Sequence, residues 1–183
     1  MYATEVLKQE HRVIERMLPV LEEAAGRLAH GRNVDTEVFD LVLDFMRTFA
    51  DKCHHAKEED RLFPVLEENG VDPEGGLIGA LRDEHKEARK LVKDLEAAVA
   101  EIGTEEAGAE VDAIVRVYCR LIRMHIEKED ITLFPLTDRR LSAQRQMELA
   151  VVFEDVEDEE PCKGAYDHYR QMIGDLEGRL GMR

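Results

Sequence analysis

A twelve-residue segment occurs twice in this chain, and the repeat constrains the fold more than any other feature. The first copy runs from Cys53 to Pro64 and the second from Met124 to Pro135. Both copies contain His-x-x-x-Glu followed by Leu-Phe-Pro. Residues four apart lie on one face of an α-helix, about one turn from each other. Each copy is therefore predicted to present an imidazole and a carboxylate side by side.

The repeat extends upstream to a second pair of motifs. Glu10-His11 on the first helical stretch corresponds to Glu84-His85 on the third. A lone histidine is more often a core or surface residue than a ligand, but histidine and glutamate clustered at helical spacing indicate a metal site. The predicted ligands, one set in each half of the chain, are His11, His54, Glu58, His85, His125 and Glu129.

Composition and periodicity predict an all-α fold. The 183 residues are 44% hydrophobic and 36% charged, and no window alternates as a strand does. Helices are expected at about residues 3–30, 35–69, 77–102, 104–137, 142–156 and 164–180. Thr4 and Ser142 are candidate N-caps, and Pro19 is expected to bend the first helix.

The last two expected helices lie outside the repeat. We expect residues 1–140 to form a four-helix bundle and residues 141–183 to form a helical extension. Leu149, Val152 and Phe153 give this extension an apolar face, so it is expected to pack on the bundle. The loop at residues 71–76 is too short to be a flexible linker between two domains.

Charge and hydropathy exclude several kinds of partner. The net charge is −16, and so acidic a surface disfavours both nucleic acid and anionic membranes. No apolar stretch approaches the length of a membrane span. The first residues lack the basic start and apolar run of a signal peptide, which predicts a cytoplasmic protein.

The three cysteines, Cys53, Cys119 and Cys162, are expected to be free thiols. Their odd number and the absence of a C-x-x-C pair argue against a disulfide framework. Free thiols fit a reducing compartment. Cys53 precedes His54 by one residue and should point about 100° away from it, so we interpret Cys53 as a small core residue.

The predicted donors also indicate which metals can bind. Imidazole nitrogen and carboxylate oxygen without thiolate suit iron or manganese, and also zinc. A closed structural zinc site needs only four ligands. Six donors on four helices therefore indicate two ions, which carboxylates can bridge. Two six-coordinate ions require more donors than these, so open positions are expected for dioxygen, nitric oxide or peroxide.

With Glu-His on the first and third helices and His-x-x-x-Glu…Leu-Phe-Pro on the second and fourth, residues 3–137 resemble the hemerythrin-like (HHE cation-binding) family. The resemblance implies an up-down-up-down four-helix bundle with a non-haem di-iron centre. It also implies that the four histidines are terminal ligands and that the two glutamates bridge the two iron ions, with zinc or manganese as alternative metals.

One position differs from the oxygen-carrying hemerythrins, and a second agrees with them. Those proteins have a further histidine four residues after the third-helix histidine, where this chain has Arg89. They also use an aspartate five residues after the fourth-helix histidine, a place that Asp130 holds. We assign the bridging role to Glu129 because it is the repeat partner of Glu58. The resulting set resembles family members linked to iron-centre repair or to sensing oxygen, nitric oxide or iron.

Several neighbouring residues have alternative roles. Glu15 is either an extra ligand or an ion-pair partner of Arg89. The Tyr118 hydroxyl either reaches the site or points to the surface, and His168 belongs to the packed or exposed part of the extension or to a lid. Three residues that follow a ligand by one position are interpreted as supporting or solvated groups: His55, Glu59 and Asp130.

Three functions fit these residues. The first is a di-iron protein that binds or senses a small ligand. The second is an enzyme that uses the same metals against peroxide or nitrosative stress or to repair iron centres, although no dedicated general base is evident. The third is a metal-free helical interaction module, which requires the paired motifs to be coincidental. No sequence feature identifies a protein partner.

Overall fold

The computed structural model describes residues 1–104 and 106–182, which form six helices and no strand. Helix α1 spans Ala3–Ala29, α3 spans Leu77–Ala100, α5 spans Ala143–Asp158 and α6 spans Ala165–Arg179. Helix α2 consists of Thr36–Phe45, Met46–His55, Glu58–Leu62 and Phe63–Glu68. Helix α4 consists of Ala107–Lys128, Glu129–Leu133 and Phe134–Arg140. Glu105, in the expected start of the fourth helix, and Arg183, at the end of the extension, lie outside the described residues.

The segments that carry the repeated motif contain wide, π-type turns. They cover Met46–His55 and Glu58–Leu62 in α2 and Glu129–Leu133 in α4. A π-turn closes its hydrogen bond one residue later than an α-turn and is frequent at functional sites. Because such a turn contains more residues, successive side chains are separated by a smaller rotation than on a regular α-helix.

Most helix boundaries agree with the sequence, because local capping signals set them. Ser142 caps α5 by accepting a hydrogen bond from the backbone of Arg145 at 3.2 Å. Thr4 is not the cap of α1, since it lies inside the helix and its buried hydroxyl donates to Gln146 of α5. Helix α4 begins at Ala107, three residues after the expected Thr104.

The first four helices form the expected up-down-up-down bundle. Helix α4 packs along both α1 and α3, and α2 contacts α1 and α3 on the other side. The two C-terminal helices pack on the first half of the bundle: α5 contacts α1 and α2, and α6 contacts the same two helices. Phe153 of α5 and Leu176 of α6 are fully buried there.

The bundle interior has two apolar clusters with a polar layer between them. The smaller cluster closes one end and includes the Leu-Phe pairs of both repeat copies. The larger cluster fills the rest of the bundle. On α1, His11 lies between Leu7 of the smaller cluster and Ile14 of the larger cluster. The polar layer is therefore shielded from water at both ends by packed side chains.

The expectation of three free thiols is wrong for two of the cysteines. Cys53 of α2 and Cys162, in the turn before α6, form a disulfide, with Cα atoms 5.5 Å apart. Cys119 is free and buried. The sequence could not indicate this pair, since 109 positions separate the two residues and only the packing of the extension on α2 brings them together.

In the described part of the chain, each helix is too short or too polar to cross a bilayer.

Candidate metal centre

The polar layer of the bundle contains all six predicted ligands, and each of them is buried. Their donor atoms form two groups, within each of which all donor atoms lie within 4.8 Å of one another: His11, His54, Glu58 and Glu129, and Glu58, His85, His125 and Glu129. Both glutamates belong to both groups. This sharing is the arrangement expected of two ions bridged by carboxylates.

Glu58 contacts one histidine of its own helix and one of the neighbouring helix. Its Oε1 lies 3.6 Å from Nε2 of His54, and its Oε2 lies 3.4 Å from Nε2 of His85. The His-x-x-x-Glu spacing therefore places imidazole and carboxylate side by side, as predicted. The second oxygen of the carboxylate reaches across to the other donor group.

Glu129 repeats this arrangement from the opposite side of the bundle. Its Oε1 lies 3.3 Å from Nε2 of His125, and its Oε2 lies 3.0 Å from Nε2 of His11. The internal repeat of the sequence has thus become an approximate two-fold symmetry of the donor groups.

A second set of carboxylates orients the histidines. Each of the four histidines donates its Nδ1 proton to a carboxylate of another helix: His11 to Asp130 (2.9 Å), His54 to Glu10 (2.9 Å), His85 to Glu59 (2.6 Å) and His125 to Glu84 (2.9 Å). This contact fixes the tautomer and directs Nε2 to the centre. The supporting role proposed for Glu59 and Asp130 agrees with these contacts, whereas the role of the repeated Glu10 and Glu84 was missed.

Each outer carboxylate also pairs with a cationic side chain. The pairs are Glu10 with Lys57, Glu59 with Arg89, Glu84 with Lys128 and Asp130 with Arg12. Among the described residues, Glu58 and Glu129 form ion pairs only with histidines. The carboxylates that orient the histidines are therefore neutralised by cationic side chains. Glu58 and Glu129 have no such partner among the described residues and leave negative charge where a cation would bind.

The pKa values report the same concentration of negative charge. Burial by itself lowers the pKa of His11, but the hydrogen bond to Asp130 and the nearby carboxylate of Glu129 outweigh it and raise the pKa to about 10. Burial likewise opposes the effect of Glu58 and Glu59, which raise the pKa of His85 to about 9. A metal ion that bound there would displace protons from these groups, so its binding would weaken as the pH falls.

Six buried atoms indicate whether these residues are suited to binding a metal. Both carboxylate oxygens of Glu58 and of Glu129, and Nε2 of His11 and of His54, have no hydrogen-bond partner in the described part of the protein. Buried polar atoms are almost always hydrogen-bonded. Oxygen and nitrogen atoms that converge without partners therefore fit metal ions as their missing contacts.

The Leu-Phe-Pro motif covers the donor groups. Phe134 stacks on the ring of His11, with centroids 5.3 Å apart, and Phe63 stacks on His85 at 6.0 Å. Each phenylalanine thus packs on the Glu-His histidine of a neighbouring helix and excludes water from one side of it. This explains why the motif accompanies both copies of His-x-x-x-Glu.

The remaining candidates have varied positions. Glu15 pairs with Arg12 at 3.1 Å and does not belong to either donor group. Arg89 instead binds Asp51 and Glu59. Tyr118 is buried, which raises the pKa of its hydroxyl. His168 is exposed on α6 and does not cover the centre.

His55 is buried as well, although it follows His54 by only one residue. One of its ring nitrogens lies within 4.8 Å of donor nitrogens of His85 and His125. The π-turns of α2 account for this position, because adjacent residues there are separated by a smaller angle. Burial, followed by the positive field of His85, lowers the pKa of His55.

A four-helix bundle whose interior holds two donor groups that share two carboxylates is typical of cation-binding proteins. Residues 2–137 match the family model of the hemerythrin HHE cation-binding domain, and the chain belongs to that family. Over 98% of its length it is 26% identical to uncharacterised proteins of Mycobacterium tuberculosis and Mycobacterium bovis, of whose length the match covers 71%.

Proposed function

We propose that this protein binds two iron ions and uses them to bind or sense a small ligand such as dioxygen or nitric oxide. The observation that carries the proposal is the pair of buried donor groups that share two glutamates without hydrogen-bond partners. His11 and His54 would hold one ion, and His85 and His125 the other. Glu58 and Glu129 would bridge the two ions.

The residues around the centre suit a sensor or carrier of small molecules. Bound iron would supply redox-active positions that remain open to a diatomic ligand. A pocket of about 280 Å³ reaches His55 from the surface, and its wall includes Met46, Ala88, Val92 and Tyr118. Charged residues such as Arg47, Lys52 and Lys93 also line this pocket, but most of its surface is apolar, which would admit a small uncharged molecule towards the second donor group.

The decisive experiment measures metal content and colour together. Protein purified with and without oxygen should contain about two irons per chain, and its visible spectrum should change when dioxygen, nitric oxide or azide is added. If the protein instead contains two zinc or manganese ions per chain, that metal takes the place of iron in the proposal. Rapid consumption of many peroxide molecules per chain would assign the protein to the enzyme class.

Paired variants connect this result to the site. Glu129→Gln should weaken binding of both ions by at least about 100-fold, since even supporting groups contribute about 10–100-fold. Glu127→Gln is the matched control, because Glu127 lies two residues away and is exposed. A folded wild type that takes up no metal would contradict the proposal and support the metal-free interaction module.

The cytoplasmic location stays part of this proposal as a prediction. The Cys53–Cys162 disulfide removes the free-thiol argument that the sequence offered for it. Thiol labelling of the protein in freshly lysed cells would show whether the disulfide is present there.

A further inference from the structure

The outer face of α4 carries a row of exposed apolar side chains. Val117, Met124 and Ile131 are each more than half exposed. Successive members are two helical turns apart, so the three side chains form a line about 21 Å long. Ile114 and Leu121 are half-buried beside this line. These five residues are called the apolar stripe of α4.

The stripe differs from the other exposed apolar residues in being continuous along one helix. In the described part of the chain, the other large ones lie at the two termini or on α5: Met1, Tyr2, Met147, Val151 and Met182. The two helices of the extension pack mainly on α1 and α2, and the stripe stays exposed. A row of exposed apolar side chains on one face indicates a surface that binds another molecule.

Two charged residues on one flank of the stripe have no partner within the described chain. Arg120 and Glu127 are exposed, and neither side chain forms an ion pair or hydrogen bond with another described residue. The neighbouring basic residues, in contrast, all have acidic partners: Arg116 with Asp112, Arg123 with Glu22 and Lys128 with Glu84. Opposite charges are therefore available to a second molecule on the same flank.

The positions of these two charges relative to Met124 make the face complementary to itself. Arg120 precedes Met124 by four residues, and Glu127 follows it by three, so both are rotated from it in the same direction around the helix. A two-fold axis at Met124 reverses the direction of a second helix and keeps the flank. Arg120 of each copy then meets Glu127 of the other.

We propose that α4 binds the α4 of a second copy of this chain in antiparallel orientation, with the two Met124 side chains at the two-fold axis. Val117 of each copy lies against Ile131 of the other, and Arg120 and Glu127 form two equivalent ion pairs at the rim. The charge pattern favours a second copy over an unrelated partner because it complements itself under this symmetry. One helix face gives an interface near the lower limit of about 1,200 Å², so we expect a reversible dimer at micromolar concentrations.

Sedimentation velocity of the full chain over a series of concentrations tests the proposal. Wild type should pass from monomer to dimer and no further, because a two-fold contact closes at two copies. Met124→Glu brings two carboxylates together at the axis and should weaken association by at least about 30-fold. Val151→Glu is the matched control, since Val151 is an equally exposed apolar residue on α5, and it should leave association unchanged.

Exchange of the two charges tests the orientation of the helices. Arg120→Glu and Glu127→Arg each place like charges together at both ends of the contact, so each should weaken association by about 10-fold. The double variant restores opposite charges and should associate within about three-fold of wild type. An unrelated binding surface would not produce this recovery.

The outcomes decide between this dimer and other occupants of the stripe. A wild type that stays monomeric at every concentration would overturn the proposal and leave the stripe to a different partner. Unchanged association of Met124→Glu would also overturn it, because the dimer would then use another face. A double variant as weak as the single variants would overturn the antiparallel arrangement. Urea unfolding of each variant in dilute solution, where the dimer has dissociated, shows that the chain is folded.

Discussion

The two halves of the bundle carry the same motif in different surroundings. In the first half, Lys57 is buried and pairs with both Glu10 and Glu157 of α5. In the second half, the equivalent Lys128 has a side chain that is 32% exposed, and it pairs with Glu84. The difference arises because the C-terminal extension packs mainly on the two helices of the first half.

The same contrast holds at the start of each repeat copy. Cys53 is buried in a disulfide to the extension, whereas the equivalent Met124 is exposed. His55 lies in the polar layer, whereas Ile126 joins the apolar cluster. The comparison teaches that the repeat encodes the donor groups, and that the extension and a few substitutions make the two sides unequal.

Replacing each of the two lysines should reveal the largest difference in stability between the two halves. Lys57→Met removes the cation from a buried ion pair and leaves Glu10 uncompensated, which should cost about 3–5 kcal/mol in the free energy of unfolding. Lys128→Met affects a partly exposed pair and should cost at most about 1 kcal/mol. Urea unfolding of both variants measures the difference, and equal costs would contradict the contrast in burial.

Removing the disulfide should have the next largest effect, and it acts on the first half alone. The bond closes a loop between residues 109 positions apart, so a Cys53→Ala/Cys162→Ala variant should lose about 2–4 kcal/mol. Met124→Ala, at the exposed equivalent position, should change stability by less than about 0.5 kcal/mol. If wild type unfolds at the same urea concentration with and without reductant, the disulfide does not distinguish the halves.

The smallest predicted effects are on metal affinity. Glu10→Gln and Glu84→Gln each remove the charge that orients one ligand, His54 or His125, and should weaken the corresponding ion by about 10–100-fold. The loss should be larger for Glu10, because it is buried and water cannot replace it as it can at the partly exposed Glu84. Zinc titration with a competing chelator measures both variants, and a larger loss for Glu84→Gln would reverse the comparison.

Local signals in the sequence were sufficient for the helices and for the grouping of the six candidate ligands. Apolar periodicity, caps such as Asp35 and Ser142, and the repeated His-x-x-x-Glu spacing are properties of short segments. They predicted the all-α bundle and placed donors from four helices in its interior. The internal repeat then made the pairing of the two halves predictable, because equivalent helices bury equivalent faces.

The tertiary structure alone decided the partners that come from distant segments. No short sequence pattern predicts the Cys53–Cys162 disulfide or the ion pair of Lys57 with Glu157. The same is true of the ion pairs of Arg89 with Asp51 and Glu59. The burial of His55 depends on π-turns that helical periodicity does not predict. Such contacts follow from how whole helices pack, because side chains from different elements meet only after the backbone has folded.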